Sequence, residues 1–477
     1  MDAFNLNKIP KVNFLFEFKL PSGYFPFGYN RNTLQFNIFN KFKNENDKPY
    51  TIYTSSIENP GNFSQIESSQ FVNFITETIK NTNKVLLHEI EHNINPNEFY
   101  LIVMESFAYN NLFQYYTTDD FKIENILSPK LLDLLKNNQN FKLVFMDIRE
   151  GAYHHPIELV DKIYNFLEKN KIYHKNKVLI SSNNNFIKKL QDTTQFKKYN
   201  NYINLYPNNY FLLTAGKFIG QLKYLNNSFF ENDYTFSIQD NINTAKEKYF
   251  LMYNRNSERM HRPYFVNELY KNNLIEKGFI SFFENPYLDD FLNKSNCYSQ
   301  LGFGLDDINS IKENYKKFTP LVIDNSDAEE VANYHNFLSR KDEYEKSYFT
   351  IISETNAESE FCFITEKTMK PIMNLHPFVV LGNPHTLKVL KSYGFKTFDK
   401  WWDESYDDEF DFKKRASMIL EIVKTLCNYS FSEWNIILSE MEETLIYNKN
   451  LLHKLWYNKE FQKEFLKKII ESEKTLV

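Results

Sequence analysis

The sequence predicts an α/β protein made of two parallel-sheet halves, with helices closing its C-terminal end. Three observations carry this expectation. The chain has 477 residues, more than a single hydrophobic core serves, because cores stop growing near about 250–300 residues. Short apolar runs alternate with helical patterns in each half, which is the rhythm of βαβ units. The last stretch of the chain is amphipathic at helical spacing.

In the first half, residues 99–104 and 141–146 are apolar runs bounded by polar, Asn-rich stretches, as buried strands are. Between them Ser128 offers an N-cap, Pro129 fits the first helical position, and leucines follow at helical spacing up to Lys136. A second helix, over about 156–170, precedes a strand at 177–181. After a connecting stretch near 215–245 the rhythm restarts with a strand at 248–253, a helix over 262–272, and strands at 349–352 and 377–381. Two final helices are predicted, one from Phe431 onward and one over 451–470. The corresponding domains are 1–225, 226–445 and a helical extension, 446–477.

Composition narrows the function classes. The chain is 42% hydrophobic and 25% charged, as ordinary globular proteins are. With 46 Phe and 32 Tyr against 11 Gly, an aromatic stripe reads as core filling and not as a stacking platform. Cys297, Cys362 and Cys427 are scattered without metal-ligand spacing, which suits a reducing cytoplasm and suggests no disulfide framework. The N-terminus lacks the basic and apolar regions of a secretory signal, and no apolar run of about 18 residues suggests a membrane span. A net charge of −5 without a long basic run argues against a nucleic-acid partner. One or two well-placed Arg or Lys still suffice for a nucleotide diphosphate.

The chemistry concentrates in three neighbouring stretches: Tyr348 to Asn356, Phe363-Ile-Thr-Glu-Lys367, and residues 377–382. Each ends a predicted strand or opens a helix, where open parallel sheets bind ligands and helix N-termini offer N–H groups to anions. Thr365 and Glu366 stand at the start of such a helix. The Glu366 carboxylate suits ribose hydroxyls, and Lys367 suits the charge of a departing diphosphate. The same residues also fit a helix cap followed by a solvated lysine, and periodicity does not separate the two.

These residues resemble the donor-site signature of glycosyltransferase family 10, the α-1,3-fucosyltransferases: an aromatic-rich strand, Glu-Asn-Ser, a short gap, then Thr-Glu-Lys. Glu354-Thr355-Asn356 stands where the family has Glu-Asn-Ser, and Thr365-Glu366-Lys367 follows at the family's spacing. The run from Gly394 to Asp407 is similar to that of viral and bacterial members. Upstream, Phe250 to Arg262 resembles the family's strand, Asn-containing loop and Arg-led helix, with Arg262 where the family has a phosphate-binding arginine and Arg255 and Arg259 as rivals. A guanidinium can grip a pyrophosphate through two parallel hydrogen bonds. The resemblance spans about 248–407.

The resemblance implies a GT-B fold, in which two Rossmann-like domains face one another, with the donor in the C-terminal domain and a glycan acceptor in the N-terminal one. It implies inverting transfer without an obligatory metal or other cofactor, from a nucleotide sugar for which GDP-fucose is the first candidate. Asn254, Arg255, Arg262, Glu354, Asn356, Thr365, Glu366 and Lys367 form the expected donor site, with Glu354 and Asn356 toward the sugar. Eukaryotic members carry an N-terminal membrane anchor, so the expected location is the cytoplasm of a bacterial cell or virus-infected host. The sequence does not define an oligomeric state.

Inversion needs a base beside the acceptor hydroxyl. Glu150 follows a predicted strand, precedes Gly151, and resembles the family's catalytic glutamate, while Asp147 and Glu105 compete with it. His154 and His155 stand ready to line the acceptor pocket. A rival motif, His88-Glu-Ile-Glu-His92, matches the H-E-x-x-H pattern in which Glu89 would serve as base beside a zinc ion. It needs a sustained helix, and Asn93-Ile-Asn-Pro-Asn97 breaks one. The same fold would also serve a non-catalytic glycan-binding module, or an enzyme whose acceptor is a nucleic-acid base. No Asp-x-Asp triplet, phosphate loop or nucleophile elbow occurs.

Overall fold

The computed structural model describes residues 11–16, 79, 81–90, 93–106, 127–147, 156–185, 187–207, 238–243, 245–254, 259–282, 288–293, 301–323, 341–358, 362–457, 463, 466 and 467. The chain divides into two compact units, Met1–Asn208 with Lys459–Val477, and Asn209–Asn458. Each is an α/β unit around a parallel sheet.

The first unit holds β1 (Val12–Phe16), β2 (Thr82–Leu86), α1 (Leu87–Ile90), β3 (Phe99–Ser106), α2 (Pro129–Asn137), β4 (Phe141–Asp147), α3 (Pro156–Lys169), β5 (Val178–Ser182), α4 (Ile187–Gln191) and β6 (Ile203–Pro207). Its strands run parallel in the order β2-β1-β3-β4-β5-β6. Both faces of such a sheet are covered, which is why Leu143, Val144, Phe145 and Met146 are buried in succession instead of alternating. The start of α2 follows its sequence signals: Ser128 Oγ accepts from Leu131 N at 3.1 Å, and Leu131, Leu134 and Leu135 face the core.

The second unit holds α5 (Ile238–Asn243), β7 (Lys248–Tyr253), α6 (His261–Lys271), β8 (Gly278–Ser281), α7 (Leu288–Asn293), α8 (Leu305–Phe318), α9 (Lys341–Glu345), β9 (Ser347–Ser353), α10 (Glu366–Met373), β10 (Phe378–Leu381), α11 (Thr386–Ser392), α12 (Phe412–Leu426) and α13 (Phe431–Tyr457). Its sheet is parallel in the order β10-β9-β7-β8. The chain therefore leaves β7 toward β8 on one side and β9 toward β10 on the other. The strand order reverses between β7 and β9, the place where doubly wound sheets open a crevice at their carboxyl ends. Gly278 permits this packing, since a Cβ there would lie 2.2 Å from the Phe250 ring. Trp434 stacks on Tyr348 and Phe349, with ring centroids at 4.9 and 5.7 Å, and its indole N–H donates to Leu426 O at 3.0 Å.

The C-terminal end differs from expectation. One helix, α13, replaces the break between two, and the boundary expected at 445 falls within it. Residues 431–457 contain neither Gly nor Pro, and Trp434, Leu438, Met441, Leu445 and Leu452 bury one continuous stripe. Strands β1, β2, β6 and β8 and helices α8 and α12 also go beyond the sequence expectation. Polar Asn13 and Lys84 interrupt the apolar patterns of β1 and β2. Of the predicted connection at 215–245, α5 folds with the second unit. Among the described residues no helix is long and apolar enough to cross a membrane.

Candidate functional site

At the carboxyl end of β7, Asn254 is fully buried and its backbone N–H donates to Ser281 O at 3.1 Å. Its side-chain amide has no hydrogen-bond partner among the described residues, and neither has Ser353 Oγ at the end of β9. Asn254 follows β7 and Ser353 ends β9, two parallel strands paired through Leu251 and Thr350. Such orphaned groups cost about 1–3 kcal/mol each and call for an explanation when they cluster.

The next described helix after β7 is α6. His261 and Arg262 stand in its first turn, both buried, and both reach Glu354 O, from Nε2 at 2.9 Å and Nη2 at 3.2 Å. Burial first, and then the charge of Arg262, hold His261 well below its ordinary pKa. The ring is thus neutral, and a carbonyl partner requires the hydrogen on Nε2.

Glu354 opens the connection from β9 to α10. Its carboxylate, fully buried, accepts four hydrogen bonds: Thr365 N at 3.1 Å and Thr368 Oγ1 at 2.5 Å on Oε1, Thr365 Oγ1 at 2.6 Å and Thr355 N at 3.3 Å on Oε2. The negative charge sits against the N-terminus of α10, where the helix dipole favours it. Gly382, after β10, lets it fit, since a Cβ there would meet Glu354 Cβ at 3.1 Å and Cγ at 3.2 Å.

Thr365 is the N-cap of α10, its hydroxyl accepting from Lys367 N at 3.3 Å. Lys367 Nζ donates to Glu366 Oε1 at 2.8 Å and to Thr355 Oγ1 at 3.3 Å, with its side chain 21% exposed. Burial acts to raise the Glu366 pKa, but the charges of Lys367 and Lys370 prevail and hold it below the ordinary value. A guanidinium from α6 and an ammonium from α10 therefore converge on one dipeptide, Glu354-Thr355, at the point of strand reversal.

Asn254 follows β7, Arg262 is on α6, Glu354, Asn356 and Thr365 are on the β9–α10 connection, and Glu366 and Lys367 open α10. One expectation is corrected. Glu354 does not reach outward, because its four partners consume the carboxylate and make it the brace of its own loop. Arg255, Glu150, His154 and His155 lie outside the described residues. Glu105 and Asp147 stand at the carboxyl ends of β3 and β4, with Asp147 in register with Ser106. In the rival motif, residues 87–90 form only one helical turn, the Glu89 carboxylate accepts from Leu86 N at 2.8 Å, and His92 lies outside the described residues.

Sequence reasoning missed three residues. Nothing at short spacing singles out His261, Asn383 or Arg415, and the helix that carries Arg415, α12, is itself not expected from the sequence. Arg415 is nevertheless buried, donating to Gly382 O at 3.1 Å, to Glu409 O at 2.5 Å and to Ala357 O. Burial lowers its pKa to about 10, which leaves it charged at neutral pH.

No protein-family model and no curated protein matches the chain. Among solved structures it is similar to an α,α-trehalose-phosphate synthase (UDP-forming) from Burkholderia vietnamiensis, at 8% identity and a TM-score of 0.35 over 80% of this chain and 77% of that one. A trehalose-6-phosphate synthase gives 7% identity and 0.35 over 98% and 99%. The N-terminal domain of Candida albicans trehalose-6-phosphate phosphatase gives 9% and 0.36 over 91% and 82%. Overlaps this loose settle neither family nor chemistry.

Proposed function

We propose that the chain is a glycosyltransferase whose second unit binds a nucleotide-diphosphate sugar between the carboxyl ends of β7 and β9. The observation that carries the proposal is the meeting of Arg262 and Lys367 at Glu354-Thr355, beside the N-terminus of α10 and over the strand reversal. Positive charge and a switch-point crevice together suit a diphosphate. The sequence resemblance adds the reaction: transfer of fucose from GDP-fucose to a glycan hydroxyl with inversion, in a GT-B arrangement.

In this mechanism the acceptor oxygen forms a bond to the anomeric carbon as the bond from that carbon to the diphosphate oxygen breaks. The acceptor proton passes to Glu150, with Asp147 and Glu105 as the rival bases, and His154 and His155 line the acceptor side. The bonding electrons leave on the diphosphate, where Arg262 and Lys367, with Arg255 nearby in sequence, stabilise the charge that develops. No metal is needed for that step. Glu366 holds ribose hydroxyls, and the orphaned Asn254 amide gains partners when the donor enters.

A thermal-shift panel of GDP, UDP, ADP and GDP-fucose tests the proposal. A ligand at a hundred times its Kd stabilises the native state by about 2.7 kcal/mol, and Lys367→Ala should abolish the shift. If none of the four moves the midpoint, the donor site is wrong. Release of GDP from GDP-fucose in the presence of a glycan then separates an enzyme from a glycan-binding relative.

A further inference from the structure

The structure assigns to Arg415, together with Asn383, the role of a clamp that holds the β9–α10 connection in its donor-binding shape from behind. This inference rests on the donor-site proposal and goes beyond it, because both side chains reach the connection from other elements, α12 and the end of β10.

The connection, residues 354–365, carries Thr355 and Asn356 and delivers Thr365-Glu366-Lys367. Its start is held by His261, Arg262 and the Glu354 carboxylate. Ala357, Glu358 and Phe363 are held by other elements. The Arg415 guanidinium, projecting from α12, ties Ala357 O of the connection to Gly382 O at the end of β10 and to Glu409 O before α12. Next to Gly382, Asn383 Oδ1 accepts from Phe363 N at 3.2 Å while Nδ2 donates to Glu358 O at 2.7 Å, joining the two ends of the 358–363 stretch.

A buried charge is a weak source of stability alone, since a well-packed apolar side chain serves as well. What a guanidinium adds is a rigid planar set of donors that fixes three carbonyls in one geometry, which the flexible ammonium of lysine does not reproduce. Two of the three, Ala357 O and Gly382 O, lie on the connection and at the end of the strand beside it. Holding a binding loop in its bound shape raises affinity by removing the ordering cost at the moment of binding. Arg415 and Asn383 are thus positioning residues that act on the donor through Thr355, Asn356 and the start of α10.

The test compares full-length wild type with Arg415→Lys, Arg415→Met and Asn383→Ser. GDP affinity is measured by calorimetry, donor and acceptor KM by turnover of GDP-fucose, and loop order by amide hydrogen exchange over 354–365. The expected result is GDP binding weakened about tenfold in Arg415→Met, with Arg415→Lys intermediate. Donor KM should rise with acceptor KM unchanged, and exchange should quicken in 354–365 while β7 and β9 stay protected. If Arg415→Met does not fold, Asn383→Ser carries the test with the same expected pattern. Folded variants with wild-type GDP affinity and unchanged exchange over 354–365 would overturn the clamp alone. A wild type that binds no nucleoside diphosphate would overturn the donor site and the clamp together.

Discussion

Replacing Glu354 by Gln keeps its shape and turns one acceptor oxygen into a donating NH2. Each oxygen accepts one backbone N–H and one threonine hydroxyl: Thr365 N with Thr368 on Oε1, Thr355 N with Thr365 on Oε2. A hydroxyl can rotate to accept from the new NH2, but a backbone N–H cannot. Whichever way the amide flips, one main-chain donor is orphaned, at a cost of about 1–3 kcal/mol. The remaining bonds lose their charge, and charged and neutral hydrogen bonds differ by about 1 kcal/mol each. The lower cost of burying a neutral side chain offsets part of this, leaving a net loss of about 3 kcal/mol. For a unit the size of residues 209–458, that is a fall in midpoint of about 6–12 °C. Scanning calorimetry of wild type and Glu354→Gln without ligand measures it. A midpoint within about 2 °C of wild type would mean that the buried carboxylate does not organise the loop.

Two further outcomes follow from the same site and its supporting sheet. Gly382→Ala drives a Cβ to 3.1 Å from Glu354 Cβ and 3.3 Å from Val380 Cγ1, so chemical denaturation should show a loss of about 1–3 kcal/mol, and an unchanged midpoint would show that the loop yields freely. His376 is fully buried, bonded to Thr350 Oγ1 at 2.7 Å and Ser347 O at 2.9 Å, and burial lowers its pKa to about 3. The folded ring stays neutral where the unfolded chain, titrating near about 6.5, takes up a proton. Its contribution is therefore complete above about pH 6.5 and declines as pH falls toward 3, by about 1.4 kcal/mol per pH unit. Urea midpoints at pH 7 and pH 5 should differ less in His376→Gln than in wild type, and equal differences would refute the assignment. His261, also held neutral by burial, adds a loss of the same sign.

Features set by near neighbours in the chain were legible in the sequence. Ser128 and Pro129 announce α2 because a cap is a contact between residues three apart. Thr365-Glu366-Lys367 announces the start of α10 for the same reason. Continuous apolar runs marked β3, β4, β7, β9 and β10 as buried strands, since a strand covered on both faces leaves no polar alternation to confuse it. The weaker strands escaped notice where, as at Asn13, a strand side chain is polar because it finds a partner at the neighbouring strand, here Glu98, just before β3, at 2.7 Å.

The sequence by itself determined that the chain is α/β in two parts and that a helix begins at Glu366 with a lysine in its first turn. Only the tertiary structure decided what those residues meet. Arg262 lies 92 residues from Glu354, and Arg415 lies 58 from Ala357. No spacing rule spans such distances, because the contacts exist only once parallel pairing has set β7 beside β9. The same pairing turned Glu354 from an apparent sugar ligand into the brace of its loop. Its carboxylate finds Thr365 and Thr368 because the start of α10 lies beside the end of β9.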